Sequence, residues 1–204
     1  MTPDALDAVA APHGLFVMGV DGPRVLLGTR SDWWAAFAEP PEAQDGAPDP
    51  IDRWSKRVID GLAQTYGADA AYPSDGPPYA PFIAWALATG RFWQSPTGMM
   101  IHDTAGLMIS IRGALTFPDA FAPTGPEASP CDSCTDRPCI DACPVGALSD
   151  RHAYDVPTCK AYLASDAGHD CMANGCVVRR VCPVSQRFDR PAAQSGFHMR
   201  AFLG

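Results

Sequence analysis

All eight cysteines of this 204-residue chain fall between Cys131 and Cys182. The first four read Cys131-Asp-Ser-Cys134, then Cys139-Ile-Asp-Ala-Cys143-Pro144. The other four are Cys159, Cys171, Cys176 and Cys182, the last again followed by a proline, Pro183. Thiolates are soft anionic ligands, and four of them complete the outer shell of a tetrairon cubane. Two thiolates separated by two residues reach neighbouring irons from one tight loop, and a third, a short loop later, wraps the same cluster. Eight thiols in this arrangement are what two [4Fe–4S] clusters require.

The first group is nearly the bacterial two-cluster run, in which three cysteines hold one cluster and the fourth, before proline, crosses to the other. By that crossed logic Cys131, Cys134, Cys139 and Cys182 hold one cluster, and Cys143, Cys159, Cys171 and Cys176 hold the second. Pro144 and Pro183 fix φ and lack a donor N–H, so each suits the first turn of a helix after a ligand. Gly146 and Ala147 are small enough to let backbone approach closely. The second group is stretched relative to the usual spacing, so its ligand set is the less regular of the two.

Disulfides and zinc are the competing chemistries. An even cysteine count in a small secreted chain signals bridges, but Met1–Gly14 has neither a basic nor an apolar stretch of the secretory kind,. The cysteines are also confined to the final third of the chain. Zinc favours paired CxxC knuckles or Cys/His sets, whereas the one CxxC here is Cys131/Cys134.

Composition narrows the partners. The net charge is −8. From Pro130 onward Arg137, Arg151, Lys160, Arg179, Arg180, Arg187, Arg190 and Arg200 balance eight acids, so the excess negative charge belongs to the N-terminal part. Nucleic acid demands a basic face, and only Arg179–Arg190 could supply a small one, so a nucleic-acid partner is not expected. No apolar run approaches a membrane span. Oxygen-sensitive clusters without an export signal point to the cytoplasm.

The elements that must carry this chemistry follow from pattern. Gly14–Val20 and Arg24–Leu27 flank Asp21-Gly22 as a β-hairpin. Residues 38–49, rich in Pro, Glu, Asp and Gly, read as an exposed loop. Asp49-Pro50 caps a helix whose Ile51, Trp54, Val58 and Leu62 recur at helical spacing until Gly67. Tyr72–Pro78 is turn-rich, and Pro81–Thr89 reads as a helix stopped by Gly90. Alternating apolar residues make Leu107–Phe117 the clearest strand, with Met99–His102 pairing to its start. Residues 118–130 read as a linker, and Pro191–Leu203 as a short helix. The layout is an α+β fold. A small mixed or antiparallel sheet platform occupies residues 1–129, a two-cluster module 130–190 and a terminal helix 191–204.

From about Ser74 to Arg190 the chain resembles the epoxyqueuosine reductase family and, through it, the iron–sulfur part of reductive dehalogenases. The residues that carry the likeness are Asp75-Gly-Pro-Pro78, Ala86-Leu-Ala-Thr-Gly90, Gly106-Leu-Met-Ile, the CxxC…CxxxCP group, the isolated Cys159-Lys-Ala-Tyr-Leu, and the closing Cys182-Pro183. The resemblance implies a nitroreductase-like, corrinoid-processing sheet that binds cobalamin, with the clusters delivering electrons to cobalt. It also implies that Asp75 is a catalytic acid. The family's cobalamin half is longer than the roughly 130 residues here, and its Gly-Lys-Asn segment is replaced by Phe92-Trp-Gln-Ser-Pro96.

Blander readings stand beside these. Ser74-Asp75-Gly76-Pro77 is also an ordinary solvated turn. Arg112, on the polar face of the main strand, suits an anion or a cross-strand ion pair. His102 and His169 read as solvated turn residues, since eight thiols suffice as ligands. Trp33-Trp34 and Phe92-Trp93 either pack a core or shield a cofactor. Two functions are therefore carried forward. One is a dicluster electron carrier whose acidic platform steers a basic redox partner. The other is a corrinoid-dependent reductase with the clusters as its internal wire.

Overall fold

A computed structural model of the chain describes residues 1–122, 125 and 128–204. Of the expected linker 118–130, residues 123, 124, 126 and 127 lie outside the described residues. The chain forms two compact units. One comprises residues 1–92 and 110–127, the other 93–109 and 128–204. Residues 93–109, expected in the platform, thus cluster with the cysteine-rich segment.

The first unit is an antiparallel sheet with helices. β1 (Leu15–Asp21) and β2 (Arg24–Thr29) form the expected hairpin. Its two-residue loop is Gly22-Pro23, and Gly22 adopts φ +56°. Proline cannot follow into positive φ, so the turn is of the II′ kind, which matches strand twist. β6 (Ile111–Thr116) pairs with β2, and β3 (Asp69–Ala71) pairs with β6, giving the order β1-β2-β6-β3. On the outer edge the Asp7 carboxylate of α1 (Pro3–Ala10) accepts the Val17 N–H at 2.7 Å, occupying a donor that an edge strand would otherwise expose,.

The helix α4 (Pro50–Tyr66) starts at Pro50 and ends on Gly67 at φ +66°. Ile51, Trp54, Val58, Ile59 and Leu62 are buried along one face. Trp54 joins Trp33 and Phe37 of α2 (Trp33–Phe37), with ring centroids 4.8 and 6.1 Å away. The tryptophan at position 33 is therefore core. Residues 38–49 are not a plain loop. Pro41–Gln44 forms the short helix α3, and its Glu42 is buried at 8% exposure because Arg57 of α4 clamps it through two guanidinium nitrogens, at 2.5 and 3.0 Å. A burial signal is invisible in a stretch whose only buried acid is satisfied from another element. Between β3 and β6 lie α5 (Phe82–Ala88), as expected, and the hairpin strands β4 (Phe92–Gln94) and β5 (Met100–His102).

The strand expected over Leu107–Phe117 begins only at Ile111, and β5 pairs with β4 rather than with residues 107–110. A single bridge, His102–Gly106, closes the intervening turn. Leu107 and Met108 are buried, at 1% and 5% exposure, within the second unit. They are apolar because they pack there, and alternation extended into them by coincidence.

In the second unit, residues 131–155 hold the first four cysteines in consecutive turns without helix or strand. There follow α6 (Val156–Leu163), α7 (His169–Asn174), α8 (Val177–Arg180), α9 (Pro183–Phe188) and α10 (Ala192–Leu203). Gly196 lets α10 lie directly on α7: a Cβ there would stand 2.6 Å from the Ala173 carbonyl oxygen. Among the described residues no helix is long and apolar enough to cross a membrane.

Candidate metal centre

Local structure fixes where each thiol begins. Cys182 is the N-cap of α9, with Pro183 at its first position, as expected. Cys176 is likewise the N-cap of α8. Cys159 lies in α6, whose start is fixed by Asp155: its carboxylate accepts the Thr158 N–H at 3.0 Å and the Thr158 hydroxyl at 2.7 Å. Pro144, by contrast, opens no helix. The chain makes one turn, with the Gly146 N–H on the Cys143 carbonyl at 3.1 Å, and Gly146 at φ +64° then breaks it. Gly146 is small for that backbone angle and not for close approach, since a Cβ there would meet nothing within 4 Å,.

The thiols fall into two neighbourhoods. Cys131, Cys134, Cys139 and Cys182 line one cavity of about 430 Å³, together with Pro138 and Pro183. Burial pushes the Cys139 thiol pKa up, and the charges of Cys182, Cys131 and Cys134 push it further in the same direction. Cys131 is raised first by burial, with Ser129 opposing through a hydrogen bond and Cys182 and Cys134 adding to the rise. The core beneath is Ile101, Leu107, Leu148, Val178 and Val184, packed with Cys139 and Cys182.

In the second neighbourhood Cys159 is raised by burial, opposed by a hydrogen bond from Tyr154, and raised again by the charges of Cys143 and Cys171. Cys171 is raised by burial, lowered by the Val177 N–H and raised by Cys176. Burial also dominates at Cys176, where the N–H groups of Arg179 and Val178 and the charge of Arg179 oppose it, while Cys159 adds to the rise. Burial thus disfavours a bare thiolate at Cys131, Cys139, Cys159, Cys171 and Cys176,.

All eight cysteines are free thiols. Among the described residues no three His, Cys, Asp or Glu side chains converge tightly enough to hold a single metal ion. Thiolates are soft donors of the kind that iron–sulfur clusters and zinc both take.

The remaining candidates resolve differently. Asp75 is half exposed, ion-paired with Lys56, and its N–H bonds the Tyr72 carbonyl at 3.2 Å, the geometry of a solvated turn. Arg112 is half-buried, and desolvation pushes its guanidinium pKa down; its ion pair is with Asp52 of α4 at 3.4 Å, not with a residue across the sheet. His102 is not solvated. It is wholly buried, and its Nδ1 accepts the N–H groups of Thr104 and Ala105 at 3.1 and 3.0 Å. A nitrogen that accepts twice has no proton to give, so its 3.3 Å approach to Asp103 is not an ion pair,. His169 is exposed at the start of α7. Phe92 is core, and Trp93 packs against the cysteine-rich core.

Of the arginines in the final segment, Arg179 donates to the Leu107 carbonyl, and Arg190 donates to the Met108 carbonyl at 3.2 Å. They hold backbone, a role that sequence does not reveal. Tyr154, just before α6, stacks on Phe202 of α10 with ring centroids 6.4 Å apart, a contact that the sequence does not reveal. Compared with known protein families, curated proteins and solved structures, the chain gives no match.

Proposed function

We propose that this chain is an iron–sulfur electron carrier with two [4Fe–4S] clusters, one on Cys131, Cys134, Cys139 and Cys182 and the other on Cys143, Cys159, Cys171 and Cys176. The observation that carries this reading is the company Cys182 keeps. It lines one cavity with Cys131, Cys134 and Cys139, although Cys143, Cys159, Cys171 and Cys176 intervene in sequence. A fold built only to bury cysteines has no reason to exchange the last thiol of one group for the first group's set.

Each bound cluster would take up and release one electron at a time. The protein's part is to hold the thiols, keep water away from them, and offset the negative charge that reduction adds. Buried Leu107, Leu148 and Val178 provide the dry side, and the N–H groups of Val177, Val178 and Arg179 provide donors at the second site. On this reading residues 128–204 form a ferredoxin-type module in a reducing cytoplasm. The acidic sheet unit is then a docking platform for a basic redox protein.

The test is anaerobic purification, iron and sulfide counting, and EPR of the dithionite-reduced protein with and without cob(II)alamin. About eight irons per chain and two interacting spin-half signals, with the cobalt spectrum unchanged, support a carrier. A protein-bound cobalt spectrum would make the sheet unit an active site and the chain a corrinoid-dependent reductase. Zinc without iron would overturn both.

A further inference from the structure

The cavity that holds Cys131, Cys134, Cys139 and Cys182 also carries charge. Arg137, in the turn between Cys134 and Cys139, and Arg187, in the helix capped by Cys182, both line it, as does Asp136. Two arginines against one aspartate leave its wall with one net positive charge. Other arginines of this unit are engaged elsewhere. Arg179 and Arg190 hold the Leu107 and Met108 carbonyls, and Arg180 pairs with Asp170 and donates to the Gly175 carbonyl at 3.0 Å. Arg137 and Arg187 are exposed, and among the described residues neither joins an ion pair.

Arg137 also stands where an arginine is disfavoured. Its φ is +41°, and the next residue is Pro138. The left-handed region suits glycine, and a following proline narrows the choice further. The other non-glycine residues at positive φ, among the described ones, are Asp49 and Asp189, whose short side chains tolerate it better,. The turn closes through backbone alone, with the Ile140 N–H on the Arg137 carbonyl at 3.1 Å, so glycine would serve it as well. Such strain persists where the side chain has a role. We propose that Arg137 and Arg187 set the reduction potential of the cluster on Cys131, Cys134, Cys139 and Cys182, raising it by opposing the charge that each electron adds. This rests on the cluster reading above. An electron arriving from the redox partner makes the bound cluster more negative by one charge, with no bond made or broken. A nearby cation favours the reduced form over the oxidised one, and a carboxylate does the reverse.

The test is an EPR-monitored redox titration of the iron-loaded protein and of three variants, Arg137→Gln, Arg187→Gln and Asp136→Asn. At fixed potential each arginine variant is expected to raise the oxidised-to-reduced ratio of one cluster about threefold. That is a fall of about 28 mV, at about 59 mV per tenfold for a one-electron couple. Asp136→Asn is expected to lower the same ratio. The affected cluster is the one whose signal Cys134→Ala removes, and the other serves as internal reference. All three shifts should shrink between about 0.01 and 1 M salt, as the Debye length falls from about 30 to about 3 Å. Arg137→Gly should shift the potential as Arg137→Gln does while raising the urea midpoint, because glycine relieves the strained φ. Unchanged midpoints in fully loaded variants, or shifts of one sign in all three, would overturn the proposal and leave the carrier reading intact. Loss of half the iron in both arginine variants would also overturn it, making the two residues structural. A wild-type chain without iron would overturn the cluster reading and this one with it.

Discussion

Replacing Cys182 by alanine separates crossed ligation from the simpler alternative, in which each cluster is held by cysteines adjacent in sequence. Cys182 is 5% exposed, caps α9, and lines the cavity shared with Cys131, Cys134 and Cys139. Two costs arise, and they differ in kind. Losing one buried sulfur from a core that includes Ile101, Leu107 and Val184 costs the folded apoprotein about 1 kcal/mol, on the scale of a single-methylene truncation,. The α9 start survives, because its first position is still Pro183 and the Cys182 side chain makes no capping hydrogen bond,.

On the ligation proposed above, the cost to the cofactor is far larger. A cubane left with three thiolates exposes an iron and is expected to be lost or degraded, taking iron and sulfide from about eight to about four per chain. Iron counting cannot say which cluster went, so the assay is EPR read against two reference variants, Cys134→Ala for the first set and Cys171→Ala for the second. The reduced Cys182→Ala spectrum should match that of Cys134→Ala. A spectrum matching Cys171→Ala would refute the assignment, and with it the argument that the shared cavity identifies the ligand set.

Three further expectations concern the scaffold. Arg57 holds the Glu42 carboxyl below its ordinary value of 4.5, so the pair's stabilisation is complete above that value and is lost as pH falls through the lower folded-state one,. Glu42→Gln should cost about 1–2 kcal/mol in urea denaturation at pH 7, and the difference from the wild type should shrink as pH falls below 4.5,. His102→Leu strands the buried N–H of Ala105 and frees the part-buried N–H of Thr104, and should lower the urea midpoint by the equivalent of about 1–2 kcal/mol,. An unchanged midpoint would show that those N–H groups find water. Gly113→Val would bring a Cβ to 2.8 Å from Ile59 Cδ1 and 3.1 Å from the Ala71 carbonyl oxygen, and should lower the melting temperature by an amount matching about 1–3 kcal/mol,.

What sequence could and could not show follows from the range over which each signal acts. The hairpin, α4 and α10 were legible because turn chemistry, a proline start, a glycine stop and helical spacing are local. The cysteine spacing is a local signal of the same kind, and the cluster assignment proposed above rests on it. Glu42, His102 and Tyr154 were not, since each is defined by a partner elsewhere: Arg57 fifteen residues on, backbone N–H groups in the following turn, and Phe202 near the other end of the unit. The misread strand start is the instructive case. Leu107 and Met108 continue an apolar pattern, but their carbonyls are taken by Arg179 and Arg190, and the Leu107 N–H by the Ser185 hydroxyl at 2.8 Å. Backbone whose donors and acceptors are claimed by side chains has no ladder to join. Arg179 and Ser185 come from the helices capped by Cys176 and Cys182, and Arg190 follows the second, so one short stretch both satisfies the 107–108 backbone and borders these thiols. If the proposed clusters are present, changing Arg179 or Arg190 should lower the iron count per chain although neither is a ligand.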